Sequence, residues 1–365
     1  MQFGPSFETA SSKVASRPEP GWRRVPIRQI EDLDCAVLGA GLRALQLSLQ
    51  PVTGSLVFVG GDDVVLSSGY IRGKVSLAGP LPQRHITIGL GLDFAAGARH
   101  WLREVDTGCV GLVQPGGEHD AIYADGSLYL KVTLSEDRLL AEAEHEGLAL
   151  DVAVIRRTGV HPLSLPPTAL DRLRHWAVAA HRGAMADSQT LARFRTEVLA
   201  AVVQHLGRPP QIAPGLPSIR GRERIVARAR SWIEAHLGEP IGISDIAAAA
   251  GASRRTLSRA FLDVLEESPQ AYVTRLRLHQ IRSELVRATV APRIAEASNR
   301  WAVSELGRMS GRYKAMFGEL PSETARLGKT RRCIRAPDDD WATGQSAADR
   351  GASLLTLQPK LAAGS

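Results

Sequence analysis

Residues 243–261 read ISDIAAAAGASRRTLSRAF, and few chain arrangements satisfy that string. Ser244 predicts an N-cap, and Ile246 to Ala250 a short helix of small residues. Gly251 can take the left-handed conformation that a β-carbon penalises. Ser253 then caps a second helix, whose Leu257 and Phe261 point inward four residues apart. Ala247, one turn before the glycine, lets the two helices cross closely. The outward face carries Ser253, Arg254, Arg255, Ser258 and Arg259. Such a helix-turn-helix reaches base edges in the major groove with the N-terminal residues of its second helix. Arginine suits that task because its fork matches guanine O6 and N7. The competing reading is a helical hairpin with a basic solvent face; the agreement of caps, turn and arginines favours double-stranded DNA.

A second unit follows. Ser268-Pro269 opens a helix with a cap and a proline whose missing N–H costs nothing in the first turn. Leu278, Ile281 and Leu285 share one stripe of this rod. Beyond Pro292, Ile294, Ala297 and Trp301 form one apolar stripe, and Met309, Tyr313 and Phe317 another; Gly318 ends the last helix. Ala302 stands where the turn needs a positive φ, at a cost of about 1 kcal/mol for a residue with a β-carbon. Ser304, Glu305, Arg308 and Arg312 lie toward the outer face. An acidic residue and Gly307 at the base-reading end point to phosphate contact through Arg308 or Arg312 rather than base reading.

Together these residues resemble the C-terminal domain of AraC/XylS-type bacterial transcription regulators. The likeness rests on Gly251, Ser258-Arg259-Ala260-Phe261, Ser268-Pro269 with Tyr272, Arg275-Leu276-Arg277-Leu278, Arg282, Leu285, Phe317-Gly318-Glu319 and Pro321-Ser322-Glu323-Thr324. Turn positions 251 and 302 have the family's separation. The chain departs from it at Ala302-Val303, where the family has Gly-Phe, and at Met309, where it has Phe. The resemblance implies promoter DNA as partner, contact with RNA polymerase, activation of nearby genes and a homodimer. The N-terminal part is similar, more loosely, to the sensor domain of ethanolamine-operon regulators.

Charge supports the division. Residues 220–332 hold 21 Lys/Arg against 12 Asp/Glu, while the rest of the chain holds 24 against 26. A basic module is thus joined to a near-neutral one, as a polyanion binder with a second job would be. The sequence predicts an α+β chain of two domains: a β-rich, barrel-like sensor and an all-α double helix-turn-helix. The expected boundaries are a flexible lead-in over 1–25, a sensor and dimerisation domain over 26–206 with helices at 168–206, a linker over 207–222, a DNA-binding domain over 223–328 and a disordered tail over 329–365. Apolar runs broken by glycine turns, among them SLVFVGG (55–61), ITIGLGL (86–92) and SLYLKVTL (127–134), carry the β reading from about Leu33 to Val154.

Other function classes fit less well. No run of eighteen apolar residues predicts a membrane span, the first twenty residues do not read as a signal peptide, and three scattered cysteines suit a reducing cytoplasm. A cupin-like metal enzyme fused to a DNA-binding domain needs paired histidines, but His85, His100 and His119 stand apart. No metal, cofactor or catalytic residue is therefore expected. The polar and aromatic residues near strand ends, Arg84, His100, Trp101, His119 and Tyr123, are the candidates for a small-molecule effector. A regulator without any ligand is the remaining alternative.

Overall fold

The computed structural model describes residues 21–61, 63–184, 187–207, 221–287 and 294–327. Its strands are β1 (Gly21–Ile27), β2 (Arg43–Gln46), β3 (Thr53–Gly61), β4 (Val64–Arg72), β5 (Val75–Pro80), β6 (Ile86–Asp93), β7 (Arg99–His100), β8 (Arg103–Glu104), β9 (Val110–Val113), β10 (Glu118–Tyr123), β11 (Ser127–Leu134) and β12 (Gly159–Val160). They form two sheets, ordered β1-β3-β4-β11-β6-β9-β12 and β2-β5-β10-β7-β8. The sheets do not close on each other, so the expected barrel is instead an open sandwich. The two-residue strands β7, β8 and β12 leave too little ladder to join them. Strand β1 begins inside the stretch read as a lead-in, and as an edge strand it tolerates Pro26.

Period-two patterning sorts each long strand between two environments. Along β11, Leu128, Leu130, Val132 and Leu134 join one core cluster, with Ile86, Ile88, Leu90 and Leu92 of β6. That face is covered by helices α1 (Glu136–His145), α2 (Val152–Ile155), α3 (Pro167–His181) and α4 (Ser188–Leu206). Helix α1 occupies sequence that reads as part of the β region; Ser135, accepting from the Arg138 amide, and two acidic residues start it. Leu173, Ala177, Phe194, Val198 and Val202 all pack on the protein's own sheet. The helices expected at 168–206 thus spend these apolar residues on the sheet of the same chain. The other face of β11, with Tyr129 and Lys131, looks into the sandwich.

The C-terminal region is helical: α5 (Arg222–Ala235), α6 (Ile243–Ala249), α7 (Arg254–Leu265), α8 (Pro269–Arg287), α9 (Ile294–Arg300), α10 (Leu306–Phe317) and α11 (Pro321–Leu327). It builds two cores joined by α8. The first gathers Val226, Ile233, Ile246, Leu257, Phe261 and Tyr272; the second gathers Leu278, Ile281, Leu285, Met309 and Tyr313. The linker and tail expected at 207–222 and 329–365 lie almost wholly outside the described residues.

The two regions are packed together. Leu102 and Ile122 of the small sheet bury themselves in the first helical core. Arg230 of α5 reaches Asp120 of β10 at 3.1 Å, and Lys74 pairs with Glu266 at 2.7 Å. On the other side, Arg282 of α8 grips Glu31 at 2.6 and 3.2 Å and Glu319 at 2.8 Å. Nearby, the Gln46 amide nitrogen donates to His279 at 3.1 Å, and Arg275 donates to the Gln46 carbonyl at 3.0 Å.

Candidate functional site

The first turn forms as its residues dictate, with one change of cap. Helix α6 starts two residues earlier than Ser244 suggested. Its N-cap is Gly242, whose amide donates to Asp245 at 3.0 Å, so Ser244 lies within the helix. Gly251 has φ +66, and an added β-carbon there would be strained by backbone alone. Ser253 caps α7 by accepting from the Thr256 amide at 3.1 Å. Leu257 and Phe261 are completely buried against α5 and α6. This fixes which way α7 faces: Arg254, Arg255 and Arg259 are exposed and Ser258 is half-buried. Among the described residues no carboxylate pairs with any of the three arginines. Their forks are free for base edges or phosphates.

The second unit has the same shape and a different surface. Ala302 sits at φ +52, in the left-handed position that Gly251 occupies in the first unit. Changing Ala302→Gly removes this strain and should raise stability by about 1 kcal/mol, read as a higher midpoint in a urea melt. Helix α10 begins after Glu305, which makes no side-chain cap. Glu305 instead pairs with Arg308 at 2.9 Å, so the arginine nearest the helix start is partly neutralised. Ser304, Glu305, Arg308 and Arg312 are exposed; Met309 and Tyr313 are buried. The two units thus differ in electrostatics, with three arginines unpaired among the described residues on α7 against Arg312 and an internally paired Arg308 on α10.

The five effector candidates separate. Arg84 is exposed on the turn between β5 and β6. Trp101, at φ +46, is half-exposed with its indole N–H donating toward the Glu118 carbonyl at 3.4 Å. His100, His119 and Tyr123 come together inside the sandwich: His100 lies edge-on to His119 at 5.5 Å and to Tyr123 at 6.2 Å between ring centres. Lys131 completes this group, and the sequence reading passed over it. Its Nζ is 3.2 Å from His119 Nε2 and 5.7 Å from the Tyr129 ring centre. Among the described residues no carboxylate reaches it. Burial pulls its pKa down to about 7, with the Cys109 thiol acting weakly the other way. Burial, followed by the lysine's charge, brings His100 to about 3, and burial also takes His119 well below the ordinary histidine range.

Strand β10 links this interior to the helical region. His119, Ala121 and Tyr123 face into the sandwich; Asp120 and Ile122, on the opposite face, meet Arg230 and the first helical core. Among the described residues no group of three His, Cys, Asp or Glu is placed to hold a metal ion, and no helix is long and apolar enough to cross a membrane.

Comparison with known proteins agrees with this geometry. The helix-turn-helix domain family matches residues 246–327. A probable thc operon regulatory protein of Rhodococcus erythropolis is 32% identical over 130 residues, which are 35% of this chain and 37% of the relative. The chain therefore spans little more than a third of that relative's length. The XylDLEGF operon transcriptional activator 2 of Pseudomonas putida is 32% identical over 113 residues, 31% of this chain and 69% of the relative. A probable AraC family regulator from Rhodopseudomonas palustris is 31% identical, over 29% of this chain and 97% of that structure, with a TM-score of 0.28. With both turns, the joining helix and the Pseudomonas putida activator's likeness in place, the chain belongs to the AraC/XylS-type family of transcription regulators.

Proposed function

We propose that the protein is a sequence-specific DNA-binding transcription regulator that reads bases mainly through α7 and positions itself on the phosphate backbone through α10. The observation that carries this is the trio of exposed, unpaired arginines on a capped recognition helix, set against the Glu305–Arg308 pair on its counterpart. Two such helices held by the α8 rod suit successive major-groove faces, about 34–36 Å apart. Promoter DNA is the partner; activation through RNA polymerase, a homodimer and a cytoplasmic location belong to the same reading. A binding titration against the DNA upstream of the gene tests it. Arg255→Ala should lose about 1–3 kcal/mol of specific binding. Arg312→Ala should weaken all sequences alike and flatten the salt dependence by about one unit. If both variants bind as the parent does, α7 is not the reading helix.

The sandwich serves in this proposal as an effector sensor, because β10 carries His119 and Tyr123 on one face and its contacts to the DNA-binding region on the other. A small molecule that shifts β10 would act on Arg230 and the first helical core directly.

A further inference from the structure

One row of residues runs across the interior face of the large sheet: Ser67, Lys131, Gly89 and Gly111, each directly opposite the next in the antiparallel ladder. On one side of the lysine this row has no side chains. A β-carbon at Gly89 would meet nothing nearer than the Gly111 carbonyl oxygen at 4.0 Å. One at Gly111 would meet nothing nearer than 3.9 Å, where His100 Nδ1 and the Gly159 carbonyl oxygen stand. At two adjacent positions the row therefore leaves open the space that a side chain would fill, bounded by glycine backbone and His100 and next to the lysine in the ladder.

We propose that Lys131 captures a small neutral carbonyl compound, an aldehyde or ketone, as an imine in the gap over Gly89 and Gly111. An amine buried in this way, with no carboxylate partner among the described residues, is about half free base at neutral pH, and the free base is the nucleophile. Its lone pair adds to the carbonyl carbon while the C=O π pair moves to oxygen; His119, 3.2 Å from the amine, takes one proton from the nitrogen and hands it to that oxygen, giving a neutral carbinolamine. The same imidazole then takes the nitrogen's second proton and delivers it to the hydroxyl. The C–O bond then breaks, water leaves and the C=N bond forms; amine and carbonyl become imine and water with no oxidant or reductant. Tyr123 Oη, 3.5 Å from the same His119 nitrogen, continues the proton path. An organic anion is the competing ligand and fits less well. It would bury its own charge and force the amine to charge too, and two desolvated ions rarely repay that cost. Condensation buries no charge.

The consequence for regulation rests on the sandwich acting as the effector sensor; the capture itself does not. Full-length protein is incubated at neutral pH with propionaldehyde as probe and cyanoborohydride as trap, and the modified lysines are mapped by peptide mass spectrometry. The chain's other five lysines serve as internal controls, since an ordinary lysine is almost wholly protonated at that pH. The expected result is a reduced propyl group on Lys131, formed at least about tenfold faster than on any other lysine and slowed about tenfold in His119→Phe. Lys131→Met, shown by a cooperative melt to be folded, should carry none at that position. Adducts confined to the other lysines would overturn the proposal. So would propionate binding that Lys131→Met abolishes while the aldehyde leaves no trapped product. An adduct at Lys131 that leaves DNA binding unchanged supports the capture and sinks the effector role instead.

Discussion

Replacing Arg282 with methionine should cost about 3–5 kcal/mol of stability, the usual loss when one member of a buried ion pair is removed. The side chain is 3% exposed, its two carboxylate partners 15% each. Its fork donates twice to Glu31, on the sensor side, and once to Glu319 of the helical region, with the Phe317 ring 4.7 Å from its centre. Glu319 also accepts from Thr324, which accepts from Tyr313. Methionine keeps the stem and leaves two carboxylates buried without their cation, so the loss is electrostatic rather than a cavity. The double variant Arg282→Met with Glu31→Gln should recover part of it. Urea melts of the three proteins decide: a loss below about 1 kcal/mol would place the contact with surface pairs of little worth.

The second large effect has the opposite sign. Lys131→Met should stabilise the protein near neutral pH, and the gain should shrink by about 1.4 kcal/mol per pH unit as pH rises from 7.5 to 9.5. The sign follows from proton counting. The amine's folded pKa, about 7, lies below its unfolded value of 10.5. Between those values the unfolded chain binds a proton that the folded chain does not, so alkali favours the native protein and neutrality penalises it. Methionine binds none in either state. The groups facing Lys131 leave this window clear in the folded protein: burial keeps His100 and His119 neutral, pushes Cys109 up to about 11 and raises Tyr123 and Tyr129 further. Paired melts at several pH values measure the gain. A constant difference between the two proteins would mean that Lys131 has an unperturbed pKa and a partner or solvent within reach.

What the sequence disclosed and what it hid have separate physical causes. Gly251, Ser253, Ser268 and Gly318 act through local backbone chemistry, and the structure places each at the turn, cap or helix end its chemistry implies. Ala302 keeps the family's positive φ without the family's glycine, so the packing of Trp301, Met309 and Tyr313 overrides a local penalty. Strand β11 was legible over its whole length, Ser127–Leu134, because its alternation is regular. Its one lysine was not, because an alternating strand with a charge on the polar face reads as half-exposed. Only the second sheet, assembled from strands β2, β5, β7, β8 and β10, makes that face an interior. The glycines in its row, Gly89 inside the ITIGLGL run and Gly111 beyond it, were the available signal. The contacts joining the two regions, such as Arg282 to Glu31, span more than two hundred residues and leave no local trace. Helix α1 was missed for a simpler reason: its apolar residues Leu139, Leu140 and Ala143 merge with the β pattern before them.

The central claim is an asymmetric pair of DNA-reading units on one rigid helix. A hydroxyl-radical footprint of the full-length protein on DNA upstream of its gene tests this most directly, with the parent and Arg255→Ala run side by side. The account predicts two protected stretches centred about one helical turn, 34–36 Å, apart. In Arg255→Ala the α7 stretch should fade first at matched occupancy, and the α10 stretch should persist on unrelated sequences at low salt. Equal fading of both stretches, or a parent footprint no different from that on scrambled DNA, would contradict it.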